Sequence, residues 1–174
     1  NTVANTIQGF SDVGIFALAN KVSVIFTLIS LSIFTVLLPK NAKQKKQDLK
    51  YSFDEIFLLS GGILTIGIFG TVASRFVIAR FFGSQFERSL GLLNILVFAA
   101  AFSAIASFME NYFFIQEDTK KILTISLSKL GAFALGVMFL VPSLSLTGLA
   151  YAQLVAGVIA TIITGTYIFR PKEV

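Results

Sequence analysis

Apolar residues dominate five long stretches of the chain, and short polar segments separate these stretches. A helix needs about 20 mostly apolar residues to cross the hydrocarbon core of a bilayer. The alternation of apolar and polar residues that is typical of membrane β-strands is not seen. The pattern therefore predicts an all-α fold, a single bundle over residues 1–174 with five transmembrane helices at about 13–38, 53–81, 88–115, 120–141 and 147–169.

Positive charge is concentrated in every second gap between these stretches. The gap 39–50 contains five lysines, 116–121 contains two, and the tail contains Arg170 and Lys172. The segments 1–12 and 142–147 contain neither lysine nor arginine. Short loops rich in lysine and arginine stay on the cytoplasmic side of a membrane. The sequence thus predicts a multi-pass protein of the cell inner (cytoplasmic) membrane, with its N-terminal end outside and its C-terminus inside.

Composition narrows the classes of function. The chain is 55% hydrophobic with a mean hydropathy of +0.83, which is too apolar for a soluble domain of 174 residues. It contains no cysteine and no histidine, so a cysteine nucleophile, a thiolate metal site and the commonest general base and metal ligand are missing. We therefore expect no enzyme, no catalytic residue, no metal and no cofactor. The net charge of +5 lies in short loops without aromatic platforms, which favours contact with anionic lipid over nucleic-acid binding.

Four charged residues interrupt the apolar stretches, and two of them lie at matching depth. Glu110 and Lys129 are roughly 7 and 10 Å from the inner boundary, at about 1.5 Å of helix rise per residue. Their helices are joined by a short loop and should touch. Because buried charges usually pair, the sequence predicts a structural ion pair between Glu110 and Lys129 ahead of a role in transport.

The other two charges, Lys21 and Arg75, lie roughly 12 and 10 Å from the outer boundary, and no carboxylate of the chain matches that depth. Two explanations stay open. The side chains reach the outer headgroups, with a carboxylate for Lys21 supplied from elsewhere. Alternatively, they face a water-filled cavity and attract an anionic substrate. On the second hypothesis the substrate-binding residues are Lys21, Arg75 and Asn20.

Small residues recur every four positions on two of the predicted helices, which lets helix backbones approach closely. Static packing is the favoured interpretation, ahead of a sliding interface. The two stripes are Ala99, Ser103, Ser107 and Asn111 on the third helix, and Gly148, Ala152, Ala156, Ala160 and Thr164 on the fifth.

Three motifs resemble the polysaccharide flippases of the multidrug/oligosaccharidyl-lipid/polysaccharide exporter superfamily. Residues 13–21, VGIFALANK, are similar to a helix start in which Val-Gly-Ile-Tyr precedes small residues and a basic residue. Pro39-Lys40 resembles the inner-loop proline of that family, and 82–89, FGSQFERS, resembles its outer-loop Phe-Gly-x-x-Tyr-x-x-Ser element. Phe16 and Phe86 replace the frequent tyrosines, and the serine that often follows the proline is absent. The last two helices agree with the family by hydropathy alone.

The resemblance implies the C-terminal part of a transporter built from two helical bundles around a central cavity. Such flippases move an undecaprenyl-pyrophosphate-linked oligosaccharide across the cytoplasmic membrane by alternating access, for cell-surface polysaccharide biosynthesis. The expected partners are the lipid bilayer, the anionic lipid-linked sugar and the N-terminal half of the same transporter. The alternatives are a cation-coupled multidrug exporter of the same superfamily and a non-catalytic membrane scaffold. A membrane-embedded glycan ligase or polymerase is disfavoured, because histidine and paired carboxylates are missing.

Overall fold

The computed structural model describes residues 9–46, 53–77, 80 and 87–169, and its regular structure in this part of the chain is helical throughout. The helices are α1 (Gly9–Lys46), α2 (Phe53–Val77), α3 (Glu87–Gln116) and α4 (Thr119–Phe169). Each includes a stretch long and apolar enough to cross a membrane. The all-α fold class is therefore confirmed, and the helices are compatible with a membrane protein. The number of crossings and their sidedness stay predictions.

Helix α4 is far too long for a single straight crossing. Its 51 residues would extend about 76 Å at 1.5 Å per residue, against a hydrocarbon core of about 30 Å. Ser145 interrupts it with a non-helical backbone (φ 53°, ψ −130°), three residues after Pro142. We call 119–144 the first arm and 146–169 the second arm. The predicted fourth and fifth helices, 120–141 and 147–169, correspond to these two arms.

The two arms fold back against each other across this turn. A Cβ added to Gly136 would lie 2.8 Å from the Cβ of Ala152, although 16 positions separate the two residues and a straight helix would hold them about 24 Å apart. A Cβ on Gly148 would overlap the carbonyl group of Leu140. The turn therefore brings the arms into backbone contact, and only glycine leaves the space for it.

Helix α1 departs from its predicted bounds. We expected 13–38, with Pro39 at its end, whereas the helix runs from Gly9 to Lys46 and passes through Pro39. That prediction was wrong because proline removes one backbone donor but permits the helix to continue where neighbouring groups hold the next turn. Here Lys40 and Asn41 both bind other helices. Helix α2 is described as far as Val77, so its predicted end at 81 lies outside the described residues, while α3 differs from its prediction by one residue at each end.

Helix α3 is the centre of the bundle. It packs against each of the other three helices, whereas α1 and α2, although consecutive, make few contacts with each other. Four of its large apolar side chains are at most 1% exposed: Leu93, Leu96, Phe108 and Phe113. The neighbours of α3 are therefore positioned mainly by α3 itself.

The second arm of α4 packs closely on α3 through its small residues. The whole predicted stripe is buried: Gly148, Ala152, Ala156, Ala160 and Thr164. A Cβ on Gly157 would lie 3.1 Å from the carbonyl oxygen of Ala99. The Thr161 hydroxyl donates a hydrogen bond of 2.9 Å to the carbonyl oxygen of Phe102. The burial expected of the stripe is therefore seen, with Gly148 and Ala152 close to the first arm, while the neighbouring Gly157 and Thr161 join the second arm to α3.

The outer surface of the bundle is apolar on several sides. Phe69 and Phe76 of α2 are 74% and 75% exposed, and Met138 and Phe139 of α4 are each 69% exposed. A soluble monomer rarely exposes such large continuous apolar patches. This surface is the one expected of helices that face lipid tails.

We expect Gly148→Ala to destabilise the bundle by about 2 kcal/mol, because the added methyl group meets backbone atoms that cannot move aside. Gly131→Ala is the matched control. That glycine lies on the same helix with no atom within 4 Å of an added Cβ, so alanine there should be neutral or up to about 1 kcal/mol stabilising. Thermal unfolding in detergent would compare the two variants, and equal stability would contradict the tight turn.

Candidate functional site

The two ends of the bundle are built differently. We call the end that carries Lys40, Lys43, Lys120 and Lys121 the lysine-rich end. There the Lys40 ammonium pairs with the Glu55 carboxylate at 2.6 Å and joins α1 to α2. The Asn41 amide donates a buried hydrogen bond of 3.2 Å to the side-chain oxygen of Asn111 on α3.

Aromatic rings add further contacts between helices at the lysine-rich end. Phe34 of α1 and Phe114 of α3 meet edge to face, with ring centroids 5.7 Å apart. Phe57 of α2 stacks on Phe169 at the end of α4, with centroids 6.2 Å apart. All four helices are therefore tied together at this end by side chains with directional contacts.

The opposite end of the bundle has an apolar cluster. Its described members come from α1, α3 and α4: Ala19, Leu92, Leu93, Leu96, Val97 and Ala150. Gly67 of α2 still lies against Val97. The large apolar side chains described beyond it are exposed, namely Ile68, Phe69, Val72 and Phe76. The last turns of α2 thus present their side chains to the surroundings.

Lys21 projects from α1 on the side away from the bundle. Ala19 and Ser23 flank it at 1% and 6% exposure, whereas Lys21 is exposed. A residue two positions away on a helix lies about 200° further around, so Lys21 cannot share their buried face. A candidate membrane span of α1 runs from Ala19 to Lys43, and Lys21 lies close to one end of this span.

On the exposed face of α1, between Lys21 and the lysine-rich end, two hydroxyl groups make their hydrogen bonds within the helix and do not require water. Ser32 and Thr35 lie on this face, and their hydroxyls donate hydrogen bonds to the carbonyl oxygens of Leu28 and Ser32, at 2.9 and 2.8 Å. Such hydroxyls are satisfied within the helix, as lipid contact requires. Unlike these hydroxyl groups, the Lys21 ammonium on this face forms no salt bridge with a described residue, so it requires polar surroundings.

The remaining members of the predicted substrate site are only partly described. Asn20 is half-buried, and its carbonyl oxygen accepts a hydrogen bond of 2.8 Å from Ser23. The backbone of Arg75 belongs to α2, but its side chain lies outside the described part of the chain. The proposed grouping of Lys21, Arg75 and Asn20 therefore stays a prediction.

Glu110 and Lys129 are both half-buried between α3 and the first arm of α4. The Lys129 ammonium attracts the Glu110 carboxylate electrostatically. The salt bridges within 4.0 Å in the described ranges join other groups, Lys40 with Glu55 and Lys121 with Asp118. The predicted Glu110–Lys129 ion pair thus has the right neighbours but no direct contact here, and it stays a prediction.

The turn between α3 and α4 is set by backbone hydrogen bonds and one carboxylate. Glu117 adopts a positive φ of 60°, and the N–H groups of Glu117 and Asp118 donate to Phe114 and Phe113 at 3.2 and 3.0 Å. This arrangement closes the last turn of α3. The Asp118 carboxylate accepts the N–H of Lys121 at 3.2 Å and pairs with its ammonium at 2.9 Å. Asp118 therefore caps the start of α4.

A pocket of about 560 Å³ lies beside this turn and opens at the lysine-rich end. Tyr112 and Phe113 of α3 form its apolar wall, while Glu117, Asp118 and Lys120 bring charges of both signs. Among the described residues, no group of three or more acidic, histidine or cysteine side chains is placed to hold a metal ion. Apart from the mixed charges of 117–121, nothing in the sequence predicted this pocket, because its apolar wall comes from α3.

Sequence reasoning also missed the polar contacts of Lys40 and Asn41. Pro39 suggested a loop at that point, and Asn111 was assigned only to a packing stripe. In the structure Asn111 is 0% exposed, and its side-chain nitrogen has no hydrogen-bond partner. An asparagine in an otherwise apolar stretch was the available signal, since a buried amide seeks a partner. It could not reveal which helix supplies that partner.

Comparison with protein-family models, with curated proteins and with solved structures gives no match to this chain. The resemblance to polysaccharide flippases therefore depends on its three motifs, and the function that it implies is a proposal.

We expect the α3–α4 turn to lose stability as pH falls. The hydrogen bond from the Lys121 side chain, and then that from its backbone N–H, lower the pKa of the Asp118 carboxyl below its ordinary value. A carboxyl whose pKa is lower when folded stabilises the folded state above its unfolded pKa of about 3.9, and this contribution is lost as pH falls through the lower folded value.

Asp118→Asn keeps an oxygen for the cap but removes the charge. Thermal unfolding of both proteins between neutral pH and about pH 2 should show a smaller loss in the variant than in the parent. Identical pH profiles would mean that the Asp118–Lys121 contact contributes nothing to the fold.

Proposed function

We propose that this chain is one lobe of a membrane transporter that moves an anionic, lipid-linked glycan between the leaflets of the cytoplasmic membrane. The motifs quoted above favour the polysaccharide flippases within its superfamily. The observation that carries the proposal is Lys21, a cation on an exposed face of an apolar helix with no salt bridge to any described residue. An exposed ammonium near one end of an apolar helix is available to bind an anionic headgroup.

The position of Lys21 suits a pyrophosphate headgroup. It lies near one end of the most apolar stretch of α1, at the level where the charged groups of lipids are found. A lipid-linked substrate keeps its pyrophosphate at the interface while its polyprenyl tail stays among lipid tails. An ammonium at that level can bind the pyrophosphate as it arrives in a leaflet, without any transfer of the cation into the hydrocarbon core.

The face that carries Lys21 turns away from α3, so a cavity there needs a second wall. We propose that the wall is the N-terminal half of the same transporter, as in the two-bundle arrangement that the resemblance implies. The exposed apolar side chains of α2 beyond Gly67 support the same arrangement, because they offer a surface on which that half can pack. At the lysine-rich end, by contrast, the four helices are tied together.

Neutralising Lys21 should slow flipping about tenfold, which corresponds to about 1.4 kcal/mol of lost interaction with the pyrophosphate. The assay uses the complete protein encoded by the gene in lipid vesicles. It follows a fluorescent lipid-linked pyrophosphate sugar by its protection from a membrane-impermeant quencher. Lys21→Ala should be slow and Lys21→Arg close to the parent, because arginine keeps the charge.

Lys129→Ala and Lys43→Ala are the matched controls, since each removes one cation elsewhere, and both should flip faster than Lys21→Ala. Equal rates for Lys21→Ala and the parent would refute the role of Lys21. If Glu110→Gln abolished transport while Lys21→Ala did not, a cation-coupled exporter would replace the flippase as the better proposal.

The proposed sidedness can be tested with single cysteines, because the chain contains none of its own. Lys43→Cys and Lys120→Cys should react with a membrane-impermeant thiol reagent only from the cytoplasmic side, and Leu144→Cys only from the outside. All three positions are exposed in the structure. Labelling of Leu144→Cys from the cytoplasmic side would contradict a crossing by each arm of α4.

A further inference from the structure

Two neighbouring residues of α1 hold its lysine-rich end to two different helices. The Lys40 ammonium meets Glu55 near the start of α2 at 2.6 Å. The Asn41 amide donates to Asn111 near the end of α3 at 3.2 Å. Since α1 and α2 make few contacts with each other along their lengths, the Lys40–Glu55 pair is a principal link between them.

Both contacts follow directly after Pro39. Proline has no N–H, so the carbonyl oxygen of Thr35 lacks the hydrogen bond that a regular helix would give it. A helix bends readily at such a point. Leu37, before the proline, is buried in the apolar cluster shared by α1, α2 and α3. Residues 40–46 extend beyond that cluster, so Pro39 separates a packed part of α1 from a part held by polar contacts.

Each of these two contacts adds little net stability. The Lys40 and Glu55 side chains are 50% and 34% exposed, and partly exposed ion pairs contribute little stability. The Asn111 side-chain nitrogen is buried without an acceptor, which costs free energy and offsets the bond that its oxygen accepts. The Lys40–Glu55 and Asn41–Asn111 contacts therefore contribute little net free energy to the arrangement seen here. A buried donor that lacks a partner in one arrangement favours a second arrangement that supplies one.

We propose that Lys40–Glu55 and Asn41–Asn111 form a releasable latch. When it opens, residues 40–46 pivot at Pro39, and the lysine-rich end of α1 leaves α2 and α3 while the packed part of α1 stays in place. The rigid partner in this movement is α3 with the second arm of α4, joined by the Gly157 contact and the Thr161 hydrogen bond. The latch acts in the same way for any cargo, so it does not depend on the proposed flippase function.

Spin labels at Lys43→Cys and Asp54→Cys test the latch in the complete protein, in lipid nanodiscs. Both side chains are exposed and flank the latch, and this chain adds no cysteine of its own. Pulsed electron paramagnetic resonance then measures the distance distribution between α1 and α2. The parent should show one dominant distance. Glu55→Gln combined with Asn111→Leu should raise a longer-distance population about tenfold.

Two controls separate a latch from ordinary packing. Thr161→Val removes an interhelical hydrogen bond of similar length far from Pro39, so it should lower thermal stability without changing the distances. The double variant Lys40→Glu, Glu55→Lys exchanges the two charges. The ion pair can still form in it, so its distance distribution should match that of the parent. If the double variant at Glu55 and Asn111 kept the parent distribution, the contacts would be static and the proposal would fail.

A measurement on the parent alone covers the case in which the double variant does not fold. Salt screens exposed ion pairs more strongly than buried ones. Raising the salt concentration from about 0.05 to about 1 M should therefore increase the longer-distance population of the labelled parent. A distribution that does not change with salt would also overturn the latch.

Discussion

Close backbone contact between α3 and the second arm of α4 is the interaction on which the rest of this structure depends. Lipid tails are as apolar as leucine side chains, so burial of apolar surface gives little net drive for helices to associate in a membrane. Small residues replace that drive with close van der Waals contact. Gly157 lies against the Ala99 carbonyl, and the Thr161 hydroxyl binds the Phe102 carbonyl. The pair then forms the surface on which α1 and α2 pack.

The two ends of the bundle differ in their contacts between helices, because the side chains that make directional contacts are concentrated at the lysine-rich end. At the lysine-rich end, an ion pair, an amide hydrogen bond and two ring contacts connect the helices. At the opposite end the contacts described are between apolar side chains of α1, α3 and α4. Directional contacts specify one arrangement, whereas apolar contacts in lipid are easily exchanged for others. Directional contacts thus set the helix arrangement at the lysine-rich end, and apolar contacts hold α1, α3 and α4 together at the opposite end.

The charged residues divide by the side of the helix that carries them. Glu110 and Lys129 are both half-buried, and the Lys129 ammonium attracts the Glu110 carboxylate. Lys21 lies on the outward face of α1, near one end of its candidate membrane span. Charged residues within the apolar stretches are thus found both between helices and on an outward helix face. The direction in which each residue faces around its helix axis, more than its position along the helix, distinguishes these two environments.

The sequence alone determined the all-helical class, the apolar stretches and the small-residue stripe of the second arm, because hydropathy and four-residue spacing are local properties. It could not determine that α1 continues through Pro39, since Lys40 and Asn41 are held by α2 and α3. Nor could it place Asn41 opposite Asn111, 70 positions away, or assign Lys21 to the outward face of α1. Those features depend on which helices meet and at what rotation. The choice of partner helix and its rotation depends on tertiary packing. Apolar helix faces pack against one another with little selectivity, and close backbone contacts and polar groups then specify one arrangement.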